Sequence, residues 1–214
     1  YILINNIMAM FIDTETIGLP IVKNLNLKWG EYPYFKLLNR YDTARIVQLS
    51  YMITDEKFNE KEIHDCIIKK EDFSIDNSEF HGITNEISLE NGMNFDEAFD
   101  IFFEKLKTVT HIISHNINFD VNVIKSELFR RDKIDIIEEL NKKTLLCTMK
   151  HCKNILKIVN QYGRYKNPSL KELYHFCFNK DIENAHNSKY DVINMHSAIK
   201  KMYDDNILNY EIAS

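Results

Sequence analysis

The chain contains few of the residues that mark flexible linkers or disulfide frameworks. Only five glycines and three prolines occur in 214 residues, and no stretch is rich in glycine or serine. The four cysteines form neither a CxxC pair nor a zinc-ribbon spacing, which favours free thiols over disulfides or structural zinc. No apolar run reaches the roughly 18 residues that suggest a membrane helix. We therefore expect a single domain over residues 1–214 with no membrane partner.

The N-terminal segment, YILINNIMAMFI, is largely apolar but does not resemble a signal peptide. It lacks the basic first part and the small-residue cleavage site of such a signal. Free thiols are typical of reducing environments. The expectation is therefore a reducing intracellular compartment such as the cytoplasm.

The charge of the chain is unevenly distributed. The net charge is −5, which by itself does not indicate a nucleic-acid-binding protein. Residues 140–171, however, contain eight lysines and arginines and no acid. A basic stretch with interleaved rings, here Tyr162 and Tyr165, suits a nucleic acid with unpaired bases. The alternative is a solvated basic face. The predicted partner is nucleic acid, and nothing in the sequence indicates an oligomeric state.

Apolar periodicity predicts strands first, followed by strands that alternate with helices. The predicted strands are residues 8–13, 45–54, 63–69 and 111–114. The predicted helices are residues 94–109, 119–130, 169–178 and 188–203. This order indicates an α/β fold with a mixed sheet.

A long irregular segment, residues 22–44, separates the first two predicted strands. Segments of this length in compact domains are usually functional or disordered. This one contains the rings of Trp29, Tyr32, Tyr34, Phe35 and Tyr41. We expect the rings to anchor the segment to the body of the protein. The alternative is a flap that touches substrate near the first carboxylates.

Three stretches place acids where predicted strands end or helices begin: residues 11–20, 115–120 and 186–191. Asp13 and Glu15 are two residues apart at a strand end, so both face the same side. Adjacent carboxylates repel each other unless a cation lies between them. Asp120 begins a helix, and Asp191 lies early in the last helix, with His186 on the loop before it. Each residue alone has an ordinary explanation as a surface or helix-start group, but together they predict a metal site.

The three stretches taken together resemble a known enzyme family. DTETIGLP, HNINFD and H-x4-D, in this order, resemble the three motifs of the DnaQ-like (DEDDh) 3′–5′ exonucleases. RIVQLS (45–50), HGIT (81–84) and SLKEL (169–173) also resemble segments of that family, so the resemblance covers about residues 8–203. It implies a ribonuclease H-like fold, with a mixed five-stranded sheet flanked by helices. Ile17 departs from the family's usual threonine, whereas all the acids match.

The resemblance also implies roles for individual residues. The implied ligands of two divalent ions, Mg²⁺ or Mn²⁺, are Asp13, Glu15, Asp120 and Asp191. His186 would take a proton from the attacking water as general base. The implied contacts to the terminal nucleotide are Thr14, Thr16, Gly18 and Leu19. Asn116 would hydrogen-bond substrate or a metal-bound water, and Phe119 would either pack inward or stack on a base.

The expected reaction is release of nucleoside 5′-monophosphates from the 3′ end of nucleic acid, with single-stranded DNA as the preferred expectation. An RNA-trimming exoribonuclease and a polymerase-associated proofreading subunit are alternatives. Residues 204–214 leave little room for a polymerase-binding segment, so a polymerase partner is not indicated. A non-catalytic nucleic-acid-binding domain is the rival from another class, and it is disfavoured because no expected ligand is missing.

Overall fold

A mixed five-stranded sheet forms the centre of the fold. The computed structural model describes residues 8–183 and 186–208. The strands lie in the order β3-β2-β1-β4-β5. They are β1 (Ala9–Thr16), β2 (Ile46–Thr54), β3 (Glu60–Ile67), β4 (His111–Ser114) and β5 (Thr144–Cys147). The first three are mutually antiparallel, and β4 and β5 run parallel to β1. The predicted sheet is confirmed.

Eight α-helices flank this sheet in the described part of the chain. They are α1 (Ser78–His81), α2 (Asn85–Asn91), α3 (Phe95–Leu106), α4 (Ile117–Arg130), α5 (Ile134–Asn141), α6 (Thr148–Leu156), α7 (Leu170–Phe178) and α8 (Ser188–Asp204). No helix among the described residues is long and apolar enough to cross a membrane.

The central strand β1 is buried on both faces. Its odd-numbered apolar residues pack in a core cluster that includes α8, and its even-numbered ones pack in a cluster that includes α3 and α4. Because alternate side chains of a strand point to opposite faces, the side chains of Asp13 and Glu15 point to the same face as α8. Thr14 continues on the α4 side.

The helical and strand periods located most elements correctly, but they missed several short ones. The four predicted helices and the four predicted strands all exist. β4 has its predicted bounds, and the other elements have shifted ends. β5 is only four residues long and was not predicted, nor were α1, α2, α5 and α6. β5 follows a lysine pair and has two exposed residues, so its sequence carries no clear strand period. Part of the predicted tail, residues 209–214, lies outside the described residues.

A buried ion network holds α4 against the start of β2. The Glu127 carboxylate, which is almost fully buried, accepts hydrogen bonds from the guanidinium groups of Arg45 and Arg131. Arg131 also donates to the exposed Glu71 at 2.6 Å, and its guanidinium lies 3.7 Å from the ring centroid of Phe95. Because α4 also carries Asp120, this network fixes part of the candidate site.

We expect Glu127→Ala to destabilise the protein strongly. The change leaves the buried Arg45 with only an exposed partner, and breaking a buried pair typically costs about 3–5 kcal/mol. The free energy of unfolding in urea measures this loss. The matched control is Glu104→Ala, which removes an exposed pair with Lys107 and should cost less than about 1 kcal/mol. Equal effects of the two substitutions would contradict the structural role of Glu127.

Candidate active site

Three carboxylates meet beside the end of β1. One oxygen atom from each of Asp13, Glu15 and Asp191 lies within 4.8 Å of the others. Two of the acids come from β1 and the third from the first turn of α8. In the described part of the chain, this is the one group of three or more acids, histidines or cysteines that could hold a metal ion. The sequence-based prediction grouped these three residues with Asp120.

Burial and mutual repulsion make the cluster electrostatically unfavourable. Burial, followed by the charges of Asp120, Asp191 and Glu15, raises the pKa of Asp13 well above its usual range. Burial, followed by the charges of Asp191 and Asp120, raises the pKa of Glu15 to about 8. A divalent cation would offset this repulsion, and hard cations such as Mg²⁺ prefer oxygen ligands. The donor set therefore fits the predicted metals.

Asp120 lies close to the cluster but is not a member of it. Its side chain is 2 % exposed on α4. One carboxylate oxygen accepts hydrogen bonds from the backbone N–H and the hydroxyl of Thr14, at 3.1 and 2.9 Å. The other accepts a 2.5 Å bond from the Ser114 hydroxyl. Burial raises the pKa of Asp120 to about 7, whereas these donors oppose the rise.

His186 is exposed on the loop that leads into α8. Its backbone has a positive φ of 64°, which is uncommon for a residue other than glycine. Burial raises the pKa of Asp191 to about 6, and the backbone N–H and imidazole of His186 oppose that rise. His186 therefore lies next to one acid of the cluster, and its exposure leaves it accessible to a water.

A buried polar network fixes the start of α8. The hydroxyl of Ser188 is 2.6 Å from that of Ser50, and Ser50 donates to Asp65 at 2.7 Å. The backbone N–H of Ser188 donates to Gln48, and the Gln48 amide donates to the same Asp65 oxygen at 2.7 Å. These contacts tie α8 to β2 and β3. They hold the helix that carries Asp191, and the sequence patterns did not identify them.

The residues predicted to line the terminal-nucleotide site separate into buried and exposed groups. The side chain of Thr14 is buried against Asp120. Thr16 donates its hydroxyl to the carbonyl of Gly18 at 2.7 Å, which closes a turn. A side chain at Gly18 would approach the Thr43 carbonyl to 2.8 Å, so only glycine fits this turn. Leu19, the next residue, is 71 % exposed beside the turn.

Asn116 and Phe119 contact the long irregular segment. Asn116 donates to the hydroxyl of Tyr32 at 2.9 Å, and Phe119 packs edge-on against the Tyr32 ring with centroids 5.5 Å apart. Burial raises the pKa of Tyr32, and the hydrogen bond from Asn116 opposes that rise. The negative charge of Asp120 raises the pKa further. Tyr32 therefore lies close enough to Asp120 for the charge of that carboxylate to affect its hydroxyl.

The aromatic rings of the segment 22–44 differ in their burial. Tyr41 is fully buried, and Phe35 packs edge-on against Phe129. These two rings and Tyr32 anchor the segment, as expected. Tyr34 is more than half exposed, and Trp29 is 73 % exposed, so anchoring does not account for Trp29.

The HGIT segment supports the first motif through hydrogen bonds. The backbone N–H of Ile83 donates to His81 Nδ1 at 3.1 Å, and His81 Nε2 lies 3.3 Å from the amide oxygen of Asn77. Asn77 in turn donates to the Thr16 carbonyl at 3.0 Å. Asn77 was not predicted as a site residue, because only the tertiary fold brings it to residue 16.

The predicted basic stretch is partly neutralised by acids just outside it. Four of its eight cations form ion pairs: Lys142 and Lys143 with Glu139, Lys166 with Glu172, and Lys171 with Asp181. The other four form no ion pair among the described residues: Lys150, Lys153, Lys157 and Arg164. Tyr162 beside them is highly exposed. The surface that would meet a polyanion is therefore smaller than the sequence suggested. The four cysteines are free thiols, as predicted.

Comparisons with known proteins agree with this fold. Solved structures similar to the chain include Escherichia coli exonuclease I in complex with a dT13 oligonucleotide, at 19 % identity and a TM-score of 0.68. That match covers 96 % of this chain and 43 % of the other. A moderately thermophilic exonuclease I from Methylocaldum szegediense matches at 19 % identity and a TM-score of 0.67, covering 92 % and 40 %.

The chain thus spans less than half the length of these solved structures, and at this identity their likeness shows the fold. No curated protein sequence matches the chain. A family model described as RNase_T, exonuclease, matches residues 10–198, which include all three motifs. The chain belongs to this exonuclease family, which confirms the predicted DnaQ-like class and the ribonuclease H-like fold.

Proposed function

We propose that the chain is a metal-dependent 3′–5′ exonuclease that releases nucleoside 5′-monophosphates, with single-stranded DNA as its substrate. The observation that carries this proposal is the convergence of Asp13, Glu15 and Asp191 within 4.8 Å, beside an exposed His186. Family membership supports the reaction class, and the acids and histidine of the site could carry out that reaction. E. coli exonuclease I has been crystallised with single-stranded oligonucleotides, which supports this choice of substrate.

The acids of the cluster would hold the cofactor, and Asp120 would complete the set. Asp13, Glu15 and Asp191 present oxygens toward one point, and Asp120 adds negative charge from the other face of β1. Bound there, two Mg²⁺ or Mn²⁺ ions would lower the pKa of a water and stabilise charge on the phosphate. The three donors on Asp120 keep its carboxylate in one orientation. We infer that it acts on the site from this fixed position.

His186 would act as the general base. A neutral imidazole can accept the proton of an attacking water. Its place on a loop directly before α8 puts it next to Asp191, and its exposure leaves room for the water and the phosphate. The bond broken would be that between the terminal phosphorus and the 3′-oxygen of the penultimate nucleotide.

The central test uses 5′-labelled DNA and RNA strands, single and double, with Mg²⁺, Mn²⁺ or EDTA. We expect a ladder that shortens from the 3′ end, with single-stranded DNA degraded fastest. Asp13→Ala should reduce the rate by at least about 100-fold, because it removes a group that holds charge-stabilising ions. Glu90→Ala, a change to an exposed acid on α2, is the control and should have no effect. Endonucleolytic products, or full activity of the Asp13 variant, would refute the assignment.

His186→Ala should separate catalysis from binding. The loss of a general base typically lowers the rate by about 100- to 10,000-fold. Because His186 is not proposed as a ligand, calorimetric titration with Mn²⁺ should give an affinity close to that of the wild type. A large fall in metal affinity would make His186 a ligand and would contradict its role as base.

The metal-free protein should lose stability as the pH rises from about 5 to 8. An acid with a raised pKa binds its proton more tightly in the folded state, so folding becomes less favourable once the unfolded chain has released that proton. Glu15, whose pKa is raised to about 8, and Asp13 act in this direction. In EDTA at pH 8, Asp13→Asn should raise the Tm by about 2 °C or more.

The Tm difference between Asp13→Asn and the wild type should shrink toward pH 5. Added Mn²⁺ should stabilise the wild type more than this variant, because binding to the folded state alone is stabilising. Asp100→Asn, a change on the exposed face of α3, serves as the control. A variant less stable than the wild type in EDTA at pH 8 would contradict the electrostatic account.

A further inference from the structure

A cavity of about 350 Å³ lies between the first motif and the segment 22–44. Its lining includes Leu19 of the motif, Asn116 at the start of α4, and Lys28, Trp29 and Tyr32 of the segment. The cavity is therefore continuous with residues that the family resemblance places at the terminal nucleotide. Its walls are largely apolar, with one cation, Lys28, and one acid, Glu31.

The part of the segment that lines this cavity is held in a defined position. Asn118 donates to the carbonyl of Gly30 at 2.9 Å, and Asn116 donates to the hydroxyl of Tyr32 at 2.9 Å. Phe119 packs against the Tyr32 ring. These contacts come from Asn116, directly before α4, and from the first turn of α4, which also carries Asp120. Residue 29, adjacent to Gly30, is therefore positioned relative to the candidate active site.

Trp29 itself is left uncovered by the protein. Trp29 is 73 % exposed and Leu19 is 71 % exposed. With Tyr162, they are the most exposed large apolar residues in the described part of the chain. Two such side chains on one cavity present an apolar surface whose exposure to water is unfavourable. A flat aromatic partner would cover the indole face and leave the nearby lysine for a phosphate.

We propose that Trp29 is a stacking platform for an unpaired base of the strand that enters the candidate active site. This inference rests on the proposed function and assigns a role to the segment 22–44. Stacking on an aromatic ring is tolerant of base identity, because every base has a π-face. Lys28 would lie near the adjoining phosphate. Trp29 would thus contribute to binding and would not touch the reacting atoms.

The chain offers a direct readout, because Trp29 is its only tryptophan. The experiment titrates His186→Ala protein, in Mn²⁺, with a fluorescein-labelled oligothymidylate for anisotropy and with an unlabelled one for tryptophan emission. We expect the anisotropy to rise and the emission to be quenched over the same concentration range. Trp29→Ala in this background should raise the Kd by about tenfold or more, the effect typical of losing one stacked base.

Matched variants distinguish the loss of ring stacking from the mere loss of side-chain volume. Trp29→Phe should retain much of the affinity, and Phe176→Ala, which removes an exposed ring on α7, should leave the Kd unchanged. With His186 intact, Trp29→Ala should raise KM about tenfold and change kcat less than twofold. Anisotropy that rises without quenching would overturn the stacking role and leave the proposed function standing. No rise in anisotropy at all would overturn both.

Discussion

Repulsion among buried carboxylates is the constraint on which this structure depends. Asp13, Glu15 and Asp191 lie within 4.8 Å of one another in a partly buried environment, and Asp120 adds its charge from nearby. Such a cluster destabilises the fold unless protons or cations offset it. The stability must therefore come from elsewhere, from the two core clusters on either side of the sheet and from the buried Glu127 network. Under the proposed function, this expense to stability follows from arranging the acids to bind metal ions.

The alternation of β1 gives the four acids their different surroundings. Asp13 and Glu15 project on the side of α8 and meet Asp191 there. Thr14 projects on the side of α4 and holds Asp120 with both its backbone N–H and its hydroxyl. A single short motif thus supplies two of the proposed ligands and, between them, the residue that hydrogen-bonds a further acid. A shift of one residue in β1 would exchange these roles, so the register with β2 matters as much as the motif itself.

Much of the site could be predicted from the sequence, because its acids lie in local patterns. The pairing of Asp13 with Glu15 follows from strand period, and the order of the three motifs identifies the family. The bonds from Thr14 to Asp120 and the bond from Asn77 to Thr16 join residues that only the fold brings together. β5 was not predicted, because a strand of four residues is too short to show a clear alternation of apolar and polar side chains. The basic stretch looked larger than it is, because acids at its two borders pair with four of its cations.

The groups around the site divide by exposure, and the division matches what each would do. Ser50, Ser188 and His81 are buried with hydrogen-bond partners, so they hold other residues in place. His186, Leu19 and Trp29 are exposed, and the described residues do not cover them. A buried and fully hydrogen-bonded polar network holds its members in one arrangement, whereas an exposed reactive or apolar group remains accessible to a ligand. Under the proposed function, the exposed groups would contact the substrate, whereas the buried networks would hold the acid cluster in position.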